Sequence, residues 1–158
     1  MEVNQMSKRL RKPYVNRVII KHEIDCDPDL SWIGEFSMEP CDGAIDHQER
    51  CNGNHRVLRF FNPANPEYAE QEYGQMMAYE RGDWSMMGIS AIAEIHIPVF
   101  RDNWISQRIH SGGIWGVESN STNSEIDNFD AEQISELKEV LKSLGIKWNY
   151  KLIPQLEE

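Results

Sequence analysis

Apolar and polar positions alternate most cleanly between residues 86 and 97. Ile89, Ala91, Ala93, Ile95 and Ile97 occupy one set of positions, and Ser90, Ile92, Glu94 and His96 the other. A period of two puts the sets on opposite faces of an extended chain, so this segment predicts a half-buried β-strand, ended by Pro98. A loop through Asp102 and Asn103 leads to Trp104–His110, which predicts an antiparallel hairpin, with Ile114–Glu118 as the third strand of that meander. Upstream, Tyr14–Ile24 carries β-branched Val18, Ile19 and Ile20 and predicts a first strand. Short strands are expected at 31–36, after the turn-forming Asp27-Pro28-Asp29, and at 57–61, with residues 37–55 between them irregular.

Helical signals follow a different period. Asn65-Pro66-Glu67 joins an N-cap residue, a proline suited to the first helical position and an acid for the first turn. A helix to about residue 81 follows, with Ala69, Tyr73, Met76 and Met77 near one face and Gly82 as its stop. Asp130-Ala-Glu-Gln133 has capping-box spacing, and Ala131, Ile134, Leu137, Val140, Leu141 and Leu144 form a helical apolar stripe. Gly145 before apolar Ile146 reads as a Schellman-type stop. The predicted class is α+β: an antiparallel sheet of four to six strands with two helices packed on one face. Residues 1–12 read as a flexible basic arm, 13–150 as a single globular domain and 151–158 as a tail.

Composition narrows the setting. A chain of 158 residues, 40% of them hydrophobic, supports one packed domain. No stretch approaches the roughly 20 apolar residues that span a bilayer, and no apolar run follows the basic N-terminus as in a secretory signal. Three cysteines, Cys26, Cys41 and Cys51, do not make a disulfide framework, which points to a reducing cytoplasm. Net charge is −10, unevenly spread. Residues 1–23 hold six Lys/Arg against Glu2 and Glu23, or +4, so the other 135 residues carry −14. From Glu23 to Glu49 there are nine acids and no Lys or Arg. Such a body repels phosphates and favours basic surfaces, so direct nucleic-acid binding is not expected.

One stretch is over-specified locally: Ser111-Gly112-Gly113-Ile114-Trp115-Gly116-Val117-Glu118-Ser119. Its glycines imply a tight turn or a close backbone approach. Trp115 either packs under the C-terminal helix or stands on an exposed sheet edge as an interface anchor. With Pro28-Asp29-Leu30-Ser31-Trp32-Ile33-Gly34-Glu35, Gly43-Ala44-Ile45-Asp46, Phe61-Asn62-Pro63 and Ala78-Tyr79-Glu80-Arg81-Gly82-Asp83-Trp84, this stretch resembles a family of uncharacterised acidic proteins encoded by bacteriophages and prophages. The resemblance covers roughly residues 28–147. It implies a viral or mobile-element origin and the host cytoplasm, and it carries no assigned chemistry.

Candidate chemistry is sparse. Cys41, His47, Cys51 and His55 lie within fifteen residues and offer zinc-type ligands, with His22 or Cys26 as substitutes. Their spacing lacks the close Cys pair of a zinc knuckle, so free thiols and surface histidines are the competing reading. Asp25, Asp27 and Asp29 imitate a calcium loop, but Leu30 and Phe36 fall where glycine and a bidentate Glu are needed. Glu94 and His96, faced by Arg108 and His110 across the hairpin, fit either general acid–base work or cross-strand charge pairing. No catalytic residue is assigned, because nucleophile elbow, phosphate loop and His-Glu-x-x-His patterns are all missing.

The reading that follows is a phage-type accessory protein, a monomer or homodimer, that binds a host protein bearing a basic, nucleic-acid-binding surface. A defence complex would be its target, in an anti-CRISPR-like or anti-restriction role. The expected contact residues are Asp25, Asp27, Asp29, Glu35, Asp46, Trp115 and Glu118. The alternatives are a metal-dependent enzyme using the Cys/His loop or the Glu94/His96 face, and a self-associating structural or virion assembly component.

Overall fold

The structure is a computed structural model and describes residues 11–50, 58–99, 103–149 and 151–157. In chain order its elements are β1 (Tyr14–Ile24), β2 (Gly34–Ser37), β3 (Ile45–Asp46), α1 (His47–Arg50), β4 (Phe60–Pro63), a 3₁₀ turn (Pro66–Tyr68) and α2 (Ala69–Glu80). Then come β5 (Met86–Pro98), β6 (Trp104–His110), β7 (Ile114–Glu118), α3 (Asn123–Ser143) and β8 (Gln155–Leu156). The α+β class holds. The elements gather into two compact units, one from residues 1–23, 88–117 and 121–158, the other from 24–87 and 118–120.

The first unit is built on a five-stranded sheet ordered β6-β5-β1-β8, with β7 also paired to β5. The alternation that marks β5 produces the expected antiparallel hairpin, in register Ala93↔Ile109, Glu94↔Arg108 and His96↔Ser106. β7 departs from the expected meander by pairing with β5. The Ser111 N–H donates to the Ala91 carbonyl at 2.8 Å, so the chain stays attached to β5 between β6 and β7. The two strands are therefore successive segments along one edge of β5. The closing residues, expected to be a tail, supply β8, which pairs in parallel with β1 through Ile19↔Gln155 and Ile20↔Leu156.

The N-cap of α3 is Thr122, eight residues before the expected cap at Asp130. The Thr122 hydroxyl accepts from the Glu125 N–H at 3.3 Å, and the Glu125 carboxylate accepts from the Thr122 N–H at 2.8 Å. This reciprocal pair satisfies two donors that a helix start leaves unpaired. Asp130 lies inside the helix, and its carboxylate stands 2.7 Å from Nε2 of His22 on β1. Leu137 and Leu141, from the predicted stripe, are fully buried. Gly145, at φ +71°, ends the helix as expected, with the Ile146 N–H reaching back to the Leu141 carbonyl at 2.9 Å.

The second unit packs α2 on the three-stranded antiparallel sheet β2-β4-β3. Asn65 caps the 3₁₀ turn that leads into α2, and Gly82 takes φ +78° beyond its end. The core is Ile33, Ile45, Phe61, Tyr73, Met76, Trp84 and Met86. Apolar residues from the acidic stretch, Ile33 and Ile45, are thus buried, which leaves its carboxylates on the outside. No helix among the described residues is long and apolar enough to cross a membrane.

Candidate functional site

Charge divides along the same line as the fold. The first unit holds twelve Lys/Arg and twelve Asp/Glu; the second holds four Lys/Arg and fourteen Asp/Glu. The whole −10 therefore belongs to the second unit, because acids of α3 offset the basic N-terminal residues within the first.

Within the acidic stretch, two carboxylates shape the backbone. Asp25 accepts from the Asp27 N–H at 3.1 Å, and Asp29 accepts from the Ser31 N–H at 2.9 Å. Hydrogen bonds from the Ser31 side chain and backbone hold the Asp29 carboxyl below its ordinary range. Glu35 lies exposed on β2, opposite Asn62. Among the described residues, Asp25, Asp27, Asp29 and Glu35 have no ion-pair partner. Asp46 differs. It accepts from the Glu49 N–H at 3.0 Å at the start of α1 and from the Arg59 guanidinium at 2.8 and 3.0 Å. Those contacts, the Glu49 backbone first and Arg59 next, lower its pKa. Asp46 is occupied internally, unlike the four acids before it. Glu118 closes β7 and is half-buried.

The glycine-rich stretch solves a local packing problem in the first unit. The buried Ser111 hydroxyl accepts from the Ala91 N–H at 2.9 Å and donates to the Gln133 side-chain oxygen at 2.8 Å. The same oxygen accepts from the Gly113 N–H at 3.0 Å, and Glu136 accepts from the Gly112 N–H at 2.9 Å. α3 thus supplies acceptors for a turn whose backbone has left the β-ladder. Gly113 and Gly116 take φ of +78° and +79°, where a side chain would be strained. Trp115 is 56% exposed and does not pack under α3. Its ring lies across Gly88, where an added Cβ would stand 2.5 Å from the nearest ring carbon. Of the two readings of Trp115, the geometry is that of the exposed edge.

The Glu94 face is a charge-pairing face. Glu94 accepts from Arg108 at 3.0 Å, as the hairpin register predicts, and from Arg17 of β1 at 3.2 Å. Arg108 foremost, with Arg17 adding to it, draws the Glu94 pKa down against the opposing effect of desolvation. His96 is 3.0 Å from the Tyr14 hydroxyl through Nδ1, and His110 stands opposite Ile92. An already ionised carboxylate held by two guanidiniums is a poor general base, so cross-strand pairing accounts for these residues.

The proposed zinc loop is only partly within the described residues: Cys51 and His55 lie outside them. Cys41 is exposed and its thiol points to the Asp42 carbonyl at 3.2 Å. His47 is buried, with Nδ1 at 2.9 Å from the Tyr73 hydroxyl and its ring beside Phe36. Cys26 is exposed, and His22 is engaged with Asp130. Among the described residues, no three His, Cys, Asp or Glu side chains converge as a metal would require.

The roles of three positions were not legible in the sequence. Arg17, Gln133 and Gly88 make their contacts across separations of 77, 22 and 27 residues; Gln133, read as part of a capping box at Asp130, instead completes the Ser111–Gly113 turn. No protein-family model, curated protein or solved structure matches the chain.

Proposed function

We propose that the protein acts by binding another macromolecule through the acidic second unit, and that the partner presents a basic surface. The observation that supports this most is the segregation of charge: fourteen acids against four bases in one unit, and none of Asp25, Asp27, Asp29 or Glu35 ion-paired among the described residues. The described bases of that unit are engaged elsewhere, Arg50 with Glu70, Arg59 with Asp46 and Arg81 with Asp83. The Asp25 and Asp29 carboxylates, held by backbone hydrogen bonds, lose less freedom on meeting a guanidinium than mobile ones would. Complementary potentials of this kind raise encounter rates and set partner choice.

In the phage setting that the sequence resemblance implies, the basic partner is a host defence complex, whose nucleic-acid-binding surface the protein would occupy. The test is affinity capture from a bacterial host, eluting with a salt gradient and identifying what is released. A nucleic-acid-binding complex released between low and moderate salt supports the reading. Retention only of partners that resist high salt contradicts it, because screening must weaken an electrostatic interface. A second surface for a protein partner has its own observation: the exposed Trp115 ring, held in place on Gly88, has the form of an uncharged anchor.

A further inference from the structure

The first unit is neutral in sum but not in layout. Residues 1–23 and 88–117 carry eight Lys/Arg against four Asp/Glu, whereas 121–158, which include α3, carry four against eight. Contacts of two β1 residues mark the two faces of the sheet. His22 of β1 meets Asp130 on α3, and Arg17, at the opposite parity along β1, meets Glu94 of β5. Glu94, His96 and their cross-strand partners therefore lie on the sheet face away from α3.

At one end of that face, aromatic rings and cations are interleaved; Tyr14 has the parity of His22 yet meets His96 on this face, so the alternation of β1 breaks between Tyr14 and Arg17. Tyr14 of β1 stands edge-on to His96 of β5 and to Trp104 of β6, each with ring centroids 5.3 Å apart. The Tyr14 hydroxyl is 3.0 Å from His96 Nδ1, which fixes the rings relative to each other. Yet Tyr14 is 45% exposed and Trp104 37%. The Arg11 guanidinium lies 5.8 Å over the indole. Two residues along β6 from Ser106, on the Trp104 side of the sheet, Arg108 shares Glu94 with Arg17. Two guanidiniums on one carboxylate leave one positive charge in excess. Lys12 follows Arg11 directly in sequence.

We infer that this corner binds single-stranded nucleic acid, with bases stacking on Trp104 and Tyr14 and phosphates paired to Arg11, Arg17 and Arg108. Charge complementarity selects a polyanion, and the exposed rings select one that carries π-faces. An acidic protein segment would use the guanidiniums and leave the rings idle, whereas a nucleotide uses both. An open sheet face bearing aromatics is a geometry suited to splayed bases, which a duplex does not offer. Total charge argues against such binding for the chain as a whole, but the acids responsible belong to the other unit and to α3.

The experiment is fluorescence anisotropy of a labelled oligothymidylate of about 15 nucleotides at low salt, using the full chain. Wild-type protein is expected to bind, and Trp104→Ala to weaken binding about tenfold. Trp104→Phe, which keeps a ring and guards against a folding defect in the alanine variant, should retain most of it. Arg11→Gln should weaken binding and lower the slope of log affinity on log salt by about 0.7. Lys142→Gln, on α3, should change nothing. No binding at low salt would overturn the inference. So would displacement of the oligonucleotide by an equal charge of polyglutamate together with unchanged affinity of a folded Trp104→Ala variant, because the corner would then read charge alone, as an acidic protein partner requires.

Discussion

Replacing Gln133 by methionine keeps the length of the side chain and removes the one oxygen on which the Ser111–Gly113 turn converges. Gln133 is 3% exposed and Ser111 7%, so the Ser111 hydroxyl loses its acceptor in a place that water reaches poorly. Stranding a buried donor costs about 1–3 kcal/mol. The Gly113 N–H is half-buried, and solvent recovers part of its lost bond, which adds about 0.5–1 kcal/mol. The new thioether side chain returns some apolar burial, so the expected net loss is about 2–3 kcal/mol. Urea unfolding, followed by far-UV circular dichroism, measures it. The double variant with Ser111→Ala separates the cause. Ser111→Ala removes the stranded hydroxyl, so it should cost clearly less in the Gln133→Met background than in wild type, with a coupling of about 1 kcal/mol. A Gln133→Met variant within about 0.5 kcal/mol of wild type, or strictly additive single changes, would refute the account of the glycine stretch as a turn completed by α3.

Gly88→Ala should destabilise by about 1–3 kcal/mol, because its Cβ would collide with the Trp115 ring; in a Trp115→Ala background the same change should be near neutral, and equal costs in both would show that the ring is not the obstacle. Glu94, whose pKa is lowered in the folded state from 4.5, contributes stability that is present above the ordinary carboxyl range and is lost as pH falls through the lowered value. Wild type should therefore lose more stability than Glu94→Gln between about pH 5 and strong acid, and parallel pH profiles would contradict the Arg17–Glu94–Arg108 cluster. Chelators should leave the melting transition in place, since each unit has an apolar core of its own; stoichiometric zinc together with collapse of melting on chelation would instead establish the Cys41–His55 loop as a structural site.

Much of the fold was legible because its signals were local. The alternation through Ile89–Ala91–Ala93–Ile95 needed no tertiary information to predict β5, and Asn65-Pro66 marked the entry to α2 in the same way. The start of α3 was missed because Thr122-x-x-Glu125 opens a polar turn in which Ile126 is the one apolar residue before Phe129, so periodicity gave it no support. β8 had no local signal at all: two residues pairing in parallel with β1 are placed by the sheet, which no pattern in residues 151–157 announces. The candidate contacts were legible unevenly. A run of acids without bases showed where charge would collect, but not that Asp46 would be taken up by Arg59. The exposure of Trp115 depends on Gly88, and the confinement of the full −10 to one unit depends on which segments fold together; a running sum along the chain shows neither.

The most direct test of the acidic binding surface compares wild type with a fourfold variant, Asp25→Lys, Asp27→Lys, Asp29→Lys and Glu35→Lys, against the partner recovered by capture. Affinity is measured across a series of salt concentrations after folding has been verified by circular dichroism. The account predicts that the folded variant loses the partner, or holds it with a much shallower dependence on salt, because these carboxylates supply the complementary field. Unchanged affinity with an unchanged salt slope would contradict it and move the interface to Trp115.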